Sequence, residues 1–236
     1  MKRLLFLLLL LPVSWVTAQD AISEVKKQAF GNPYNQANEN FINLMNEMSS
    51  TNRVSLLLFD RWMPMQIVGR DSTMFRVDSA NYHIESDKIV FFHGGDFYQL
   101  FPERIDHVVM GDRTFISMQF INGREPGRGY FEVLEDGEMR LLVRHEITRK
   151  VKNDNPMGLP AAKEIEIRQS ADLFYLTATG RRPEPVPRKR RELIGIFRRD
   201  RAEVADFATE QRLSPKKTED VRRLFAFYNQ LNAPVN

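Results

Sequence analysis

Two ionisable residues, His93 and Asp96, stand either side of Gly94-Gly95 in the stretch KIVFFHGGDFYQL. A Gly-Gly pair tolerates the positive φ of a two-residue hairpin turn, which sets the histidine and the carboxylate face to face. Chemically such a pair is a general base beside its orienting carboxylate, or half of a metal site. The sequence offers no third ligand, so the expectation is a polar pair at a hairpin tip, with no metal and no cofactor. His83 and Glu85 are two residues apart and share one face of a strand. They could chelate, but a solvated strand face is the commoner outcome. His107 and His145-Glu146 add no specific signal. Trp62, in Asp60-Arg61-Trp62, could stack on a sugar, with Asp112-Arg113 as a second set of the same kind. The commoner fate of such a Trp is burial beside a strand. His93, Asp96 and Trp62 are therefore the candidate ligand-binding residues. No phosphate-binding loop, nucleophile elbow, H-E-x-x-H or EF-hand loop occurs, and no catalytic residue is assignable. A glycosidase carboxylate pair is defined in space and is not visible in a sequence.

A second chemical feature is the basic run RRPEPVPRKRR, followed by FRRDR. Nucleic acid is the first partner such a run brings to mind, but no nucleic-acid-binding module is present. Arg188, Lys189, Arg190 and Arg191 sit where a Pro-rich stretch enters a helix whose Leu193, Ile194 and Phe197 face a core. The expectation is a solvated helix face docked on an acidic part of the same chain. The functional rival is contact of these four residues with anionic lipid headgroups. Charge is split accordingly. Residues 181–236 hold 14 Lys/Arg against 8 Asp/Glu, and residues 19–180 hold 18 against 23.

The elements that position these residues are mostly strands. From about residue 51, short apolar segments alternate with turn signals at Glu85-Ser86-Asp87, Gly94-Gly95, Gly111-Asp112, Asn122-Gly123 and Asp136-Gly137. About ten strands are predicted in an antiparallel meander, a curved sheet or partly closed barrel. The register at Gly94-Gly95 puts Phe92 opposite Phe97 and Phe91 opposite Tyr98. A last hairpin is predicted from residues 163–168 and 173–177, turning at Gln169-Ser170-Ala171. Around Asp136-Gly137, Met139, Leu141 and Val143 point one way and Phe131, Val133 and Leu142 the other. Such a sheet needs cover on both faces, or curls on itself.

Residues 149–162 read as a polar loop and residues 180–188 as an extended Pro-rich linker. Three helices then follow. Asp200 with Glu203 predicts a capping box, and Ser214-Pro215 an N-cap and first turn. Val221, Leu224, Phe225, Tyr228 and Leu231 form the stripe of the last helix. Upstream, Phe41, Leu44, Met45 and Met48 predict a short helix over residues 38–48.

The chain opens MKRLLFLLLLLPVSWVTAQD, the pattern of a secretory signal peptide over residues 1–18. The organisation expected is that leader, an N-terminal segment at 19–50, an antiparallel β domain at 51–180, and a basic linker with helices packed on it at 181–236. There is no cysteine, so disulfides and thiolate chemistry are excluded, and 42% hydrophobic residues with 17 Phe must supply the core.

Together the leader, LFDRWMPMQIVGRDSTMFRVDSANYHIESDKIVFF, YFEVLEDGEMRLLVRHEIT and the C-terminal stretch ending in Tyr228-Asn229 resemble a broad group of uncharacterised secreted β-rich proteins of Bacteroidota-type Gram-negative bacteria. The resemblance covers much of residues 56–232. It implies an envelope location and carries no activity to any residue. The expected protein is exported, to the periplasm, the outer membrane or the outside. It is a non-catalytic binding or structural module whose partner is an envelope protein, a glycan or an anionic lipid headgroup, with no nucleic acid and no transmembrane span in the mature chain. The alternative is an envelope hydrolase acting on glycan or peptide.

Overall fold

The structure, a computed structural model, describes residues 56–93, 96–103, 105–122, 125–152 and 164–233. The helix expected at 38–48 and the Gly94-Gly95 turn itself lie outside the described residues. Ten strands form one sheet: β1 Met63–Gly69, β2 Met74–His83, β3 Lys88–His93, β4 Asp96–Gln99, β5 Ile105–Met110, β6 Arg113–Asn122, β7 Glu125–Glu135, β8 Met139–Lys152, β9 Glu164–Thr177 and β10 Glu184–Pro185. Three helices follow: α1 Arg190–Gly195, α2 Arg201–Glu210 and α3 Thr218–Leu231.

The strand order is β10-β9-β8-β7-β6-β5-β1-β2-β3-β4, antiparallel throughout, and the sheet is open. It consists of two meanders that diverge from the β5–β1 pair. The predicted register at the β3–β4 hairpin is found, with Phe92 opposite Phe97 and Phe91 opposite Tyr98. The rings of Phe91 and Tyr98 stack at 5.4 Å.

Only residues 100–104 join β4 to β5, although β4 lies four strand spacings from β5. On a flat sheet that gap is about 19 Å, and five residues cover it only when nearly fully extended. Leu100 still donates its N–H to Ile89 at 2.9 Å and so stays beside β3, and Pro102 and Glu103 form a turn, so the link does not run straight across that gap. The β1–β4 half must curl. Its concave face holds the first core, with Met65, Tyr82, Phe91, Met110 and Phe115 all fully buried. The Tyr130 hydroxyl, from β7, donates to the Leu100 carbonyl at 3.2 Å and holds the β4–β5 link across the curl.

The other half is covered on one face by the helices. Met139 and Leu141 of β8 pack with Leu193, Phe197, Val204, Val221, Leu224 and Phe225. The opposite face carries Phe120, Phe131, Leu142 and Leu176. The two-sided pattern expected around Asp136-Gly137 is thus present, and the helices supply the cover.

Four expectations are corrected. There is no hairpin at Gln169-Ser170-Ala171: β9 runs straight through, and these residues sit opposite Ile147, Glu146 and His145. The stretch lacks Gly and Pro, and the long partner strand β8 keeps it extended. Likewise β8 continues to Lys152, so residues 149–152 are strand rather than loop. The Pro-rich linker contributes β10, whose Pro185 lies on a sheet edge where a missing N–H is tolerated. At the helices, neither predicted cap forms. Asp200 makes no cap bond and instead accepts from Asn232 Nδ2 at 2.7 Å. The last helix begins at Thr218, while Ser214 Oγ accepts the Lys216 N–H in the preceding turn.

Candidate functional site

The sequence candidates are placed as follows. His93 and Asp96 are opposite each other at the end of the β3–β4 hairpin, and His93 is half-buried. Trp62 precedes β1 and is half-buried. Its neighbour Met63 is opposite Ala80, which is opposite Phe91, two residues short of His93. His83 ends β2, is buried, and has Nδ1 2.6 Å from Ser86 Oγ. Glu85 does not share its strand face. It lies in the β2–β3 turn and takes two hydrogen bonds from Arg149, at 2.5 and 2.8 Å. The basic run is exposed, and three of its four residues have partners within the chain. Arg188 pairs with Asp172 at 3.2 Å and Lys189 with Glu192 at 3.2 Å. Arg190 donates to the Leu213 carbonyl and to Thr209 Oγ1. Arg191 is exposed. Among the described residues no group of three or more His, Asp or Glu is placed to hold a metal ion.

The buried charges lie elsewhere, where β7 and β8 part. Their pairing covers Glu132↔Val143 to Glu135↔Leu141, while β7 begins at Glu125 and β8 runs on to Lys152. The β2–β3 turn enters the fork. Asp87 holds a φ of 53°, a region Asp tolerates. One carboxylate oxygen accepts the Tyr82 hydroxyl at 2.8 Å and the Tyr130 N–H at 3.1 Å, and the other accepts from Arg144 at 2.9 Å. A Cβ on Gly129 would collide with the tips of both Arg144 and Asp87, so a side chain there would push the pair apart. The Arg144 guanidinium also lies 4.1 Å over the Phe120 ring. On the other face Glu132 accepts from Arg113 Nε at 2.7 Å and from His145 Nε2 at 2.7 Å. Burial by itself would raise Glu132, but these two hydrogen bonds outweigh it and hold its carboxyl below the usual value. Both clusters are closed sets of paired charges that tie strands together.

Another set of polar groups lines an open groove of about 700 Å³ between the β9–β10 end of the sheet and helices α1 and α3, where Glu192 pairs with Lys189 and Arg199 donates to Asn232. Tyr175 projects from β9, and its hydroxyl donates to Glu184 of β10 at 2.7 Å. Burial and this carboxylate push Tyr175 up to about 12, against which Arg198 pulls it down. Tyr228 reaches the groove from α3. Met139 and Ile196 give it an apolar floor.

Sequence reasoning missed Glu132, His145, Asp87 and Arg144, and missed the groove. A signal for the first two was available: Glu132 interrupts the apolar run YFEVL, and His145 follows LLVR. The groove joins residues from 138 to 228, and nothing local announces it. No family model, curated protein or solved structure matches this chain.

Proposed function

We propose that the protein is an exported, non-catalytic binding module of the cell envelope, with its ligand-facing chemistry in the groove at the sheet–helix junction. The observation that carries this reading is the division of polar groups. The charged pairs deep in the fold, Asp87 with Arg144 and Glu132 with Arg113 and His145, satisfy one another and brace strands. Of the polar groups that line the open groove, Glu138, Arg198, Thr177 and Thr179 take no part in those bracing pairs, and Met139 and Ile196 give it an apolar floor, as a concave binding site has. The leader-like residues 1–18 support export. Among the described residues no helix is long and apolar enough to cross a membrane, and this leaves strands aside.

The test is fractionation of a tagged full-length chain, followed by identification of what co-purifies from the envelope. Recovery in the envelope with a specific glycan or protein supports the module. Recovery in the cytosol overturns the export reading. An envelope protein that turns over a glycan or peptide in a substrate screen overturns the non-catalytic one.

A further inference from the structure

We infer that the β8–β9 hairpin beyond Val143 is an arm that acid releases from the body of the sheet. None of its residues lines the groove described above. β7 and β8 are paired no further than Glu132 opposite Val143, whereas β8 stays paired with β9 from Arg144 opposite Asp172 to Lys152 opposite Glu164. Over that length no third strand among the described residues joins the ladder. An apolar core does not hold the arm either. Of its described side chains only Arg144 is buried. Ile147, half-buried against the first core, is the single hydrophobic residue of the arm that packs on one.

The contacts that attach the arm end on carboxylates of the body. In the β2–β3 turn, Asp87 accepts from Arg144 at 2.9 Å, and Glu85 takes two hydrogen bonds from Arg149. On β7, Glu132 lies 2.7 Å from His145 Nε2 and accepts from Arg113 of β6 at 2.7 Å. The other groups facing these carboxylates favour their charged forms or belong to the body. Tyr82 and the Tyr130 N–H donate to Asp87, His83 adds positive charge near Glu85 when protonated, and Arg222 of α3 lies on the Glu132 side. Glu146 pairs with Arg144 within the arm and so attaches it to nothing.

The direction of the pH effect follows from these bonds. The Arg149 hydrogen bonds hold Glu85 below its ordinary value. Burial raises Glu132, but the bonds from His145 and Arg113 outweigh it and hold this carboxyl low as well. A carboxyl lowered on folding lends stability that is present above its unfolded pKa and is lost as pH falls through the folded one. Here each bond spans arm and body, so protonation loosens the arm in particular. The body has other fastenings. β8 up to Val143 keeps its ladder with β7, and Met139 and Leu141 stay in the helical core, against which Leu173 of β9 also packs. Release therefore stops at Val143 and Leu173, and it uncovers the Phe120 ring beneath Arg144.

The experiment is amide hydrogen exchange read by NMR on the chain without residues 1–18, from about pH 7 down to about pH 3.5, with each rate referred to its intrinsic value at that pH. A detached two-stranded hairpin is marginal in water, so Glu146, Thr148 and Ser170 should lose protection at least about tenfold on acidification while Phe115 and Leu142 stay within about threefold. Glu85→Gln and Arg149→Gln each remove one exposed attachment. Each should lower arm protection about two- to threefold at pH 7, leave the body amides unchanged and flatten the pH dependence of the arm. Arm and body amides losing protection together would mean global acid unfolding and overturn the proposal. So would arm protection that is constant over the whole pH range, or a wild-type pH profile in both variants.

Discussion

Asn229 does at the helix–sheet junction what a neighbouring strand would do. Its Oδ1 accepts the Met139 N–H at 2.9 Å, and its Nδ2 donates to the carbonyls of Met139 at 3.0 Å and Asp136 at 3.3 Å. The Asp136-Gly137 turn is thereby fixed to α3. Gly137, at φ 153°, leaves room for the amide: a Cβ there would meet Asn229 Cγ at 2.5 Å. Asn229→Ala strands a backbone donor and acceptor at once, so a loss of about 2–3 kcal/mol is expected. Urea denaturation checks it, and a change below about 0.5 kcal/mol would show that water replaces the amide. The Tyr228-Asn229 pair and the Asp136-Gly137 turn were each legible in the sequence. Their contact was not, because it spans 90 residues and leaves no periodic trace.

Glu132 gives a pH prediction of defined sign. Its folded pKa lies below the ordinary 4.5, because hydrogen bonds from His145 and Arg113 outweigh the opposing effect of burial. A carboxyl depressed on folding adds stability that is present above its unfolded pKa and is lost as pH falls through the folded one. Glu132→Gln should lower stability near neutral pH and make the decline below about pH 4.5 shallower. Urea midpoints from about pH 3 to about pH 7 test this. Parallel curves for the two proteins would mean that other carboxyls govern acid unfolding.

At the scale of elements, the β2–β3 turn is wedged between β7 and β8, where Asp87 meets Tyr130 and Arg144. A two-residue turn could have joined these strands, and Glu85-Ser86-Asp87 was read as a turn and nothing more. Its wider role depends on the curl that the short β4–β5 link imposes, which is a property of topology rather than of the turn. Arg144 is the residue on which the wedge depends. Removing one partner of a buried pair leaves the other charge uncompensated, so Arg144→Ala should cost about 3–5 kcal/mol. Arg144→Met keeps the contact with Phe120 but still strands Asp87. The double variant Arg144→Met with Asp87→Asn should recover part of that loss, since the contacts are shared. Strictly additive losses in a double-mutant cycle would show that wedge and strand are held independently. The strands with strong turn signals were legible, including the β3–β4 register. Strand β9 was not read whole, because its small polar centre, Gln169-Ser170-Ala171, carries turn-like composition and is held extended only by β8.

For the whole molecule, the charge split between the β part and residues 181–236 invites an electrostatic account of their docking. The pairs exist, with Arg222 to Glu135 at 2.6 Å and Arg188 to Asp172 at 3.2 Å. Both arginines are well exposed, and exposed pairs contribute about 0–1 kcal/mol each. The helices are held chiefly by the apolar face of β8, where Met139 and Leu141 enter the same core as Phe197, Val221 and Phe225. That attachment predicts two things together. Raising salt to about 0.5 M should shift the urea midpoint little, since screening acts on the minor contribution. Helices and sheet should also unfold in one transition, because β8 belongs to both the sheet and the helical core. Residues 1–18 carry one of the two tryptophans, so without them Trp62, beside β1, is the single fluorescent reporter of the curled half. Far-ultraviolet circular dichroism at the helix band reports the other end. Coincident midpoints for the two probes are expected across the denaturant range. If the helical signal is lost first, and earlier still in high salt, the helices are an electrostatically docked appendage and the shared core at β8 is not what holds the molecule together.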